Sequence, residues 1–335
     1  MKLRIMGSVR RTLVTAGMAF AMLGHIGQSA QAAAAVENYP SKPINFIIGY
    51  KGVSEVFSRV VAEHLQRELG QPVIVMPHPG ASGSIAAGLL ARAEPDGYTV
   101  GMVISNLATN SILQKSLDYD PLKSFEPISM MGTVPIVMAI NPKAAGGITD
   151  FKSFVSDAKA HPDKYAFGQA GALGMTHLTG ELLKRDAKIE MVSVSYRGGG
   201  AALIDLLGGQ IAVQFPTVTL IGPQYLDKDA RVKVVAISSK ERSAVMPDVP
   251  TFVELGYPDM VVSEWYALMA PAGTPKPIID KLNAALKKVL AQPEVRNKIL
   301  GMEIAASDPG AVTSLIQSEI QRWTKLIQDV DLKLE

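Results

Sequence analysis

The sequence of 335 residues contains no cysteine, and aromatic residues make up only 6% of it. The absence of cysteine excludes disulfide bonds, a lipid-anchored cysteine and catalysis by a cysteine nucleophile. So few aromatic side chains argue against a groove that stacks sugar rings. The formal net charge is only +2, and the charged residues are interspersed. The sequence therefore indicates no basic face for nucleic acid.

The sequence also lacks the short motifs of common catalytic centres. It has no G-x-S-x-G, no H-E-x-x-H and no G-x-x-x-x-G-K-[ST]. No two of the five histidines stand at metal-ligand spacing. Asp118 and Asp120 lie in the segment D-Y-D-P, where a turn or helix-cap role fits better than acid–base chemistry. We therefore expect no enzymatic activity, no cofactor and no metal site.

The N-terminal segment has the pattern of a secretory signal. Four basic residues precede an apolar run from Leu13 to Ile26, and the small residues Ala30-Gln31-Ala32 follow. The run is shorter than the roughly 20 residues of a membrane-spanning helix, which argues against an anchor. We expect residues 1–32 to be a cleaved signal peptide, with cleavage after Ala33 or Ala34 as alternatives. The mature protein is then expected in the periplasm.

Residues 39–92 carry the clearest structural pattern. Each half has an apolar strand, a loop with glycine and the start of a helix. Such a loop directs free backbone N–H groups to one place, and a helix N-terminus favours negative charge. The segment therefore indicates anion capture by amides. Its alternation of strands and helices predicts a parallel sheet covered on both faces, with ligands at the carboxyl ends of the strands.

The rest of the chain indicates a second α/β lobe. We predict a first lobe in residues 37–139, a second lobe in residues 140–262 and a return to the first lobe in residues 263–335. Two passages between the lobes at separate points in the chain predict a hinge with a cleft.

Nine short motifs, in order along the chain, resemble those of one family. These motifs are Y-P-S-K-P-I at Tyr39, L-G-Q-P-V at Leu69, P-G-A-S-G at Pro79, P-D-G-Y-T at Pro95, D-Y-D-P at Asp118, H-L-T-G-E-L at His177, L-L-G-G-Q-I at Leu206, M-P-D-V-P-T at Met246 and A-P-A-G-T-P at Ala270. The chain resembles the periplasmic solute receptors of tripartite tricarboxylate transporters, often called Bug proteins. The resemblance covers essentially the whole mature chain.

This resemblance implies a type II periplasmic-binding-protein fold, in which two α/β lobes close on a small organic acid. It implies that carboxylates are held by backbone amides, small hydroxyl side chains and water. The expected partners are an organic acid and the membrane subunits of a tripartite tricarboxylate-type transporter, with a monomeric receptor and no nucleic acid.

The first cleft loop departs from the family pattern. The family has segments such as P-F-P-P-G-G-G-T-D, whereas this chain has a loop two residues shorter, without prolines and with a lysine. Lys51 either replaces lost amide donors with a charge or points to solvent. The expected ligand-binding residues of this loop are Tyr50, Lys51, Gly52, Val53 and Ser54.

The second-lobe loop departs as well, because residues with hydroxyl and amide side chains are replaced by Ala, Leu and Met. Either the ligand has an apolar or aromatic body with one anionic end, or the loop packs on its own helix. Gln169 keeps its hydrogen-bonding capacity. The expected ligand-binding residues here are Gln169, Ala170, Gly171, Ala172 and Thr176.

Four further residues complete the predicted site. Ser105 and Asn106 end the third strand, and either contact the ligand or form a plain turn. Tyr196 and Arg197 follow a second-lobe strand, where the arginine either grips a carboxylate in a bidentate fork or pairs with a neighbouring acid. His177 is expected to orient the loop before it.

The sequence thus predicts a receptor that captures a small carboxylate between two lobes and delivers it to a membrane transporter. Two alternatives stay open. One is a diverged receptor for an aromatic or uncharged ligand. The other is a periplasmic signalling or scaffolding partner that transports no small molecule.

Overall fold

A computed structural model describes residues 38–113, 117–162, 164–171, 173–227 and 231–332. Residues 38–42 contain only a turn and bends, so the helices and strands of the described chain all lie within residues 43–332. The predicted signal peptide, residues 1–32, lies outside the described residues.

The described chain forms two five-stranded sheets. In chain order the strands are β1 (Ile44–Ile48), β2 (Val73–Pro77), β3 (Thr99–Ile104), β4 (Phe125–Pro135), β5 (Val137–Ile140), β6 (Ala166–Gln169), β7 (Val192–Ser195), β8 (Val213–Gln214), β9 (Lys233–Ile237) and β10 (Ser263–Pro271). The strand order is β2-β1-β3-β10-β4 in the first sheet and β7-β6-β8-β5-β9 in the second. Each sheet belongs to one lobe, which confirms the prediction of two α/β lobes.

Helices connect most of these strands. In chain order they are α1 (Val53–Leu69), α2 (Ser84–Ala91), α3 (Asn106–Leu113), α4 (Phe151–Ala160), α5 (Met175–Ala187), α6 (Gly199–Gly208), α7 (Val218–Leu226), α8 (Lys276–Leu290), α9 (Pro293–Arg296) and α10 (Pro309–Asp329). A short 3₁₀ turn, Ala81–Gly83, precedes α2. None of the helices in the described ranges combines the length and the hydrophobicity that a bilayer crossing requires.

The parallel pairing predicted for the first strands is observed, and each sheet also contains one antiparallel strand. In the first sheet β1 pairs in parallel with β2 and β3, but β10 runs antiparallel to both of its neighbours. In the second sheet β6 pairs in parallel with β7 and β8, and β5 is the antiparallel strand. The odd strand in each sheet is the one that arrives from the other lobe, so its direction is set by that passage rather than by a βαβ crossover.

The chain passes between the sheets at two places. At the first passage, Ile136 lies between β4 of the first sheet and β5 of the second. At the second passage, the chain returns to the first sheet at Ser263, where β10 begins. Residues 137–139, assigned to the first lobe from the sequence, belong to β5 in the second sheet. The run Pro135–Ile140 looks continuous in sequence because all of it is buried and apolar, so hydrophobicity gives no sign of the change.

The C-terminal helix α10 packs on both cores. Val312 and Ile316, in its first half, belong to the buried cluster of the first lobe. Trp323 and Leu326, one to two turns before its end, belong to the buried cluster of the second lobe. Trp323 also donates a hydrogen bond from Nε1 to Glu319 Oε2 at 2.7 Å. The amphipathic face of one helix thus stabilises both lobes at once.

Glycines set the ends of α1, the helix after the first cleft loop. Gly52 precedes it with φ of 70°, and Gly70 ends it in the left-handed region with φ of 71°. Both conformations favour glycine over residues with a side chain. Helix α4 begins differently, because Asp150 caps it by accepting a hydrogen bond from Ser153 N at 2.9 Å.

The segment from Gly301 to Glu303 contacts both lobes. Glu303 pairs with Thr133 of β4, while Gly301 lies against Val218, the first residue of α7. A Cβ at Gly301 would lie 2.2 Å from Val218 Cγ1, and the residue has φ of 75°. The close approach therefore depends on the missing side chain.

We predict that Gly301→Ala lowers the free energy of unfolding by about 2–4 kcal/mol, because it combines backbone strain with overpacking. Gly256→Ala is the matched control, since Gly256 has φ of 93° but nothing within 4 Å of a new Cβ; it should cost only about 1 kcal/mol. Urea unfolding measures both. Equal losses in the two variants would contradict the close packing.

Candidate functional site

The carboxyl ends of the parallel strands in both sheets lie next to the passages between the lobes. In the first sheet Tyr266, near the start of β10, pairs with Ile104, the last residue of β3. In the second sheet Val137 N, at the start of β5, donates to Pro216 O just after β8 at 2.9 Å. Ligand sites in α/β sheets lie at such carboxyl ends. The loops that follow these strands therefore line the cleft.

The first cleft loop leads into an uncapped helix. Gly52 is the N-cap of α1 and makes no side-chain capping hydrogen bond. The N–H groups of Val53 and Ser54, at the start of the helix, have no partner within the helix. Lys51 is exposed, and its ammonium group has no ion-pair partner among the described residues. The loop thus offers amide donors and one cation.

Tyr50 makes its contacts with residues of the first lobe. Its hydroxyl donates to Ser82 O at 3.0 Å, and its ring lies on Gly83, where a Cβ would be 2.0 Å from the hydroxyl oxygen. With Asn110 and Tyr119 it lines a space of about 10 Å³, which holds no more than one water. Burial, and next the charge of Glu264, raise the pKa of Tyr50 well above its usual value. Tyr50 closes the first lobe's own cavity.

The predicted serine contacts are occupied by protein partners. Ser105 is fully buried, and its hydroxyl donates to Glu264 Oε1 at 2.5 Å. Ser54 is buried at the start of α1, and it lowers the pKa of the neighbouring Tyr266, against the larger effect of that tyrosine's burial. Asn106, the first residue of α3, stays partly exposed. Both serine side chains therefore interact with other side chains of the first lobe.

Glu264, which was not predicted as a site residue, is a titratable group at the cleft edge of the first sheet. It is the second residue of β10. Burial raises its pKa to about 7; the hydrogen bond from Ser105 opposes this shift, and the charge of Glu319 adds to it. Its negative charge in turn raises the pKa of Tyr266, an effect second to that tyrosine's own burial. The available signal was an acidic residue in an otherwise apolar strand.

In the second-lobe loop most backbone amides already have partners. Gly171 N donates to Gln169 Oε1 at 2.5 Å, Ala170 N to Thr176 Oγ1 at 3.4 Å, and Leu173 N to His177 Nδ1 at 3.1 Å. The side chains of Gln169 and Thr176 thus hold the loop in shape. His177 orients the loop, as the sequence analysis expected. Ala172, another predicted contact, lies outside the described residues.

A cavity of about 180 Å³ opens beside that loop. Its walls come from the ends of β6 and β8 and from the N-termini of α5, α6 and α7. The lining residues are Gly168, Ala170, Thr176, Gly199, Gln214, Pro216, Thr217 and Leu220. None of the three helices has a side-chain cap hydrogen bond at its N-cap. The helix N-termini thus offer amide donors to the cavity. Most of its lining residues are small or apolar, and its buried carboxamide is that of Gln214.

The last predicted pair separates into two roles. Tyr196 donates from its hydroxyl to Asp205 Oδ2 at 2.9 Å, and its ring lies 3.2 Å from where a Cβ on Gly168 would be. It packs beside the loop. Arg197 is exposed and has no ion-pair partner in the described part of the chain. Lys51 of the first lobe and Arg197 of the second are thus both exposed cations without an ion-pair partner among the described residues.

No group of three or more histidine, aspartate or glutamate side chains in the described ranges is arranged to hold a metal ion. The acidic residues that do cluster near the cleft, Glu264 and Glu319, lie among tyrosine, serine and tryptophan side chains.

Comparison with known proteins places this geometry in a family. Residues 57–332 match the family model described as tripartite tricarboxylate transporter family receptor. BugT of Bordetella pertussis is 35% identical over 309 residues, which cover 89% of this chain and 92% of BugT. The motifs quoted from the sequence therefore identified the family correctly.

Two solved structures share the fold. The periplasmic binding protein BugD has a TM-score of 0.75 and 30% identity, with 88% of this chain and 99% of BugD covered. MatC of Rhodopseudomonas palustris, solved with bound malate, has a TM-score of 0.72 and 29% identity, with 86% of this chain and all of MatC covered. The predicted periplasmic-binding-protein fold is confirmed. This chain belongs to the receptor family of the tripartite tricarboxylate transporters.

Proposed function

We propose that this protein is an exported receptor that captures a small organic acid between its lobes and delivers it to a tripartite tricarboxylate-type membrane transporter. The observation that carries the proposal is the placement of uncapped helix N-termini at the cleft edge of both lobes. Helix N-termini bind anions through N–H groups and the helix dipole. MatC, a relative of similar length, is named with a bound carboxylate, malate.

In this proposal, one carboxylate lies at the N-terminus of α1, near Lys51, and the rest of the molecule enters the second-lobe cavity. A ligand that touches both lobes favours the closed arrangement, because only that arrangement provides both sets of contacts. Arg197 adds charge from the second lobe. The N-terminal signal would place the receptor in the periplasm, where BugD is named as a binding protein. We propose that it acts as a monomer, without a cofactor.

One observation favours the variant proposal of an aromatic or uncharged ligand. The second-lobe cavity is lined mainly by glycine, alanine, proline and leucine, so it accepts an apolar body. Isothermal titration and thermal unfolding with dicarboxylates, aromatic acids and neutral analogues separate the two ligand classes. Binding of the neutral analogues alone would overturn the carboxylate proposal. Failure of all three classes, with a membrane or sensor protein co-purifying, would overturn small-molecule capture altogether.

We predict that Lys51→Ala weakens the binding of an anionic ligand about three- to tenfold, which corresponds to roughly 1 kcal/mol for a solvent-exposed charge. The difference should shrink as salt screens the interaction. Lys152→Ala is the control, because Lys152 is exposed on α4. Titration calorimetry at two salt concentrations measures the effect. An unchanged dissociation constant would remove Lys51 from the site.

We predict that Gly171→Asp abolishes binding, because it adds bulk and negative charge where the anion approaches. Gly171 has φ of 130°, a conformation that favours glycine. Gly171→Ala carries the same backbone strain without the charge, so it should bind more weakly than the wild type but still measurably. Wild-type affinity in the Asp variant would place the ligand elsewhere.

Glu264 makes the affinity for anions dependent on pH. Its pKa of about 7 means that it is neutral below pH 7 and negatively charged above it. The groups that face it are Ser105, Tyr50, Tyr266 and Glu319, and none of them is a cation. A bound carboxylate is therefore repelled only when Glu264 is ionised.

We predict that the affinity for a dicarboxylate that is fully ionised throughout falls about three- to tenfold between pH 6 and pH 8.5. Glu264→Gln should flatten this dependence and keep the acidic-pH affinity. Glu190→Gln, at an exposed position, should keep the wild-type profile. Affinity that rises with pH in the wild type would show that Glu264 instead attracts a cationic group of the ligand.

A further inference from the structure

Gln214 lines the second-lobe cavity, and its side-chain oxygen is buried and unpaired. It is the last residue of β8 and only 2% exposed. Its Nε2 donates to Gly199 O at 3.0 Å. Because a carbonyl oxygen can only accept, this bond fixes which end of the carboxamide faces Gly199. Oε1 is left buried, without a hydrogen-bond partner among the described residues.

An unpaired buried acceptor is unusual in a folded protein. Buried polar atoms almost always have a partner, and leaving one unpaired is destabilising. The cavity beside Gln214 measures about 180 Å³, whereas one water needs only about 10–15 Å³ of such space. The space therefore suits a larger chemical group that supplies the missing donor.

The same cavity provides donors as well. The first N–H groups of α6 and α7 belong to helices whose N-caps, Gly198 and Thr217, make no side-chain cap hydrogen bond. Ala201 N and Leu220 N donate to the N-cap carbonyls, and the N–H groups that precede them have no partner within the helix. Around one cavity the protein therefore places N–H donors and the unpaired acceptor of Gln214.

We propose that Gln214 selects a ligand whose end in the second-lobe cavity is a neutral group with both a hydrogen-bond donor and an acceptor, a carboxamide or a hydroxyl. Its donor satisfies Gln214 Oε1, and its oxygen accepts from a helix N-terminus. This inference rests on the proposed function, because the other end of the ligand is the carboxylate held at the first lobe. The ligands are therefore monocarboxylic acids with a distant amide or hydroxyl group.

The two competing end groups fit less well. An ionised second carboxylate has no donor, so its oxygens would face Gln214 Oε1 and repel it. A methyl group fills the space but leaves the buried acceptor unpaired. Sites built to pair a donor reject analogues that lack it more strongly than they reject a change in size.

The test uses ligand trios that share a skeleton and differ only at that end. Succinamate, levulinate and succinate carry an amide, a methyl ketone and a carboxylate. 4-Carbamoylbenzoate, 4-acetylbenzoate and terephthalate form the same series on an aromatic skeleton. Titration calorimetry on the full mature protein gives the affinity ratio of amide to ketone within each trio.

We predict that the wild type binds the amide at least about tenfold more tightly than the ketone in the trio that fits. Gln214→Met should bring the ratio close to one, and Gln224→Met should preserve it. Gln224 is the matched control, since it lies on α7 and does not line the cavity. Thermal unfolding of each variant establishes that it is folded.

A wild-type ratio near one, with carboxylates still bound, would overturn this inference and leave the proposed function standing. A ratio that survives in Gln214→Met would do the same. If no carboxylate of either trio or of the dicarboxylate panel binds, the proposed function itself fails. The affinity ratio of amide to ketone in the wild type can overturn the inference by itself. The test therefore holds even if Gln214→Met misfolds.

Discussion

The constraint on which the site depends is the insertion of one antiparallel strand from each inter-lobe passage into the middle of a sheet. β10 lies between β3 and β4, and β5 lies between β8 and β9. Pairing of Tyr266 with Ile104 fixes the end of β3 beside one passage, and the bond from Val137 N to Pro216 O fixes the end of β8 beside the other. These ladders bring helix N-termini of both lobes to the cleft.

The two half-sites differ in what they offer. The first lobe has an open helix N-terminus and a lysine, but its own cavity is closed by Tyr50, and Ser105 is hydrogen-bonded to Glu264. The second lobe has a loop whose amides are mostly satisfied, beside a roomy cavity. In the site we propose, charge recognition therefore belongs mainly to the first lobe, and shape recognition to the second. A ligand with one anionic end and a less polar body matches this division.

The sequence predicts regular elements well where local signals are strong. The strand, glycine-containing loop and helix predicted in each half of residues 39–92 are observed as β1 with α1 and β2 with α2. Local signals are weak in the helix Val218–Leu226, which contains Pro223, and in the strand Phe125–Pro135, which contains Pro127 and several polar residues. Propensity disfavours proline inside an element, and tertiary packing overrides it here. The site is harder to predict, because Ser105 and Glu264 are 159 residues apart and meet only through sheet pairing.

A crystal structure of the protein with a bound carboxylate ligand would locate the anion. We expect one carboxylate group against the first N–H groups of α1, with the remainder of the molecule in the cavity beside Gln214. A cleft filled by protein side chains, or a ligand whose carboxylate touches neither lobe's helix N-termini, would contradict this expectation.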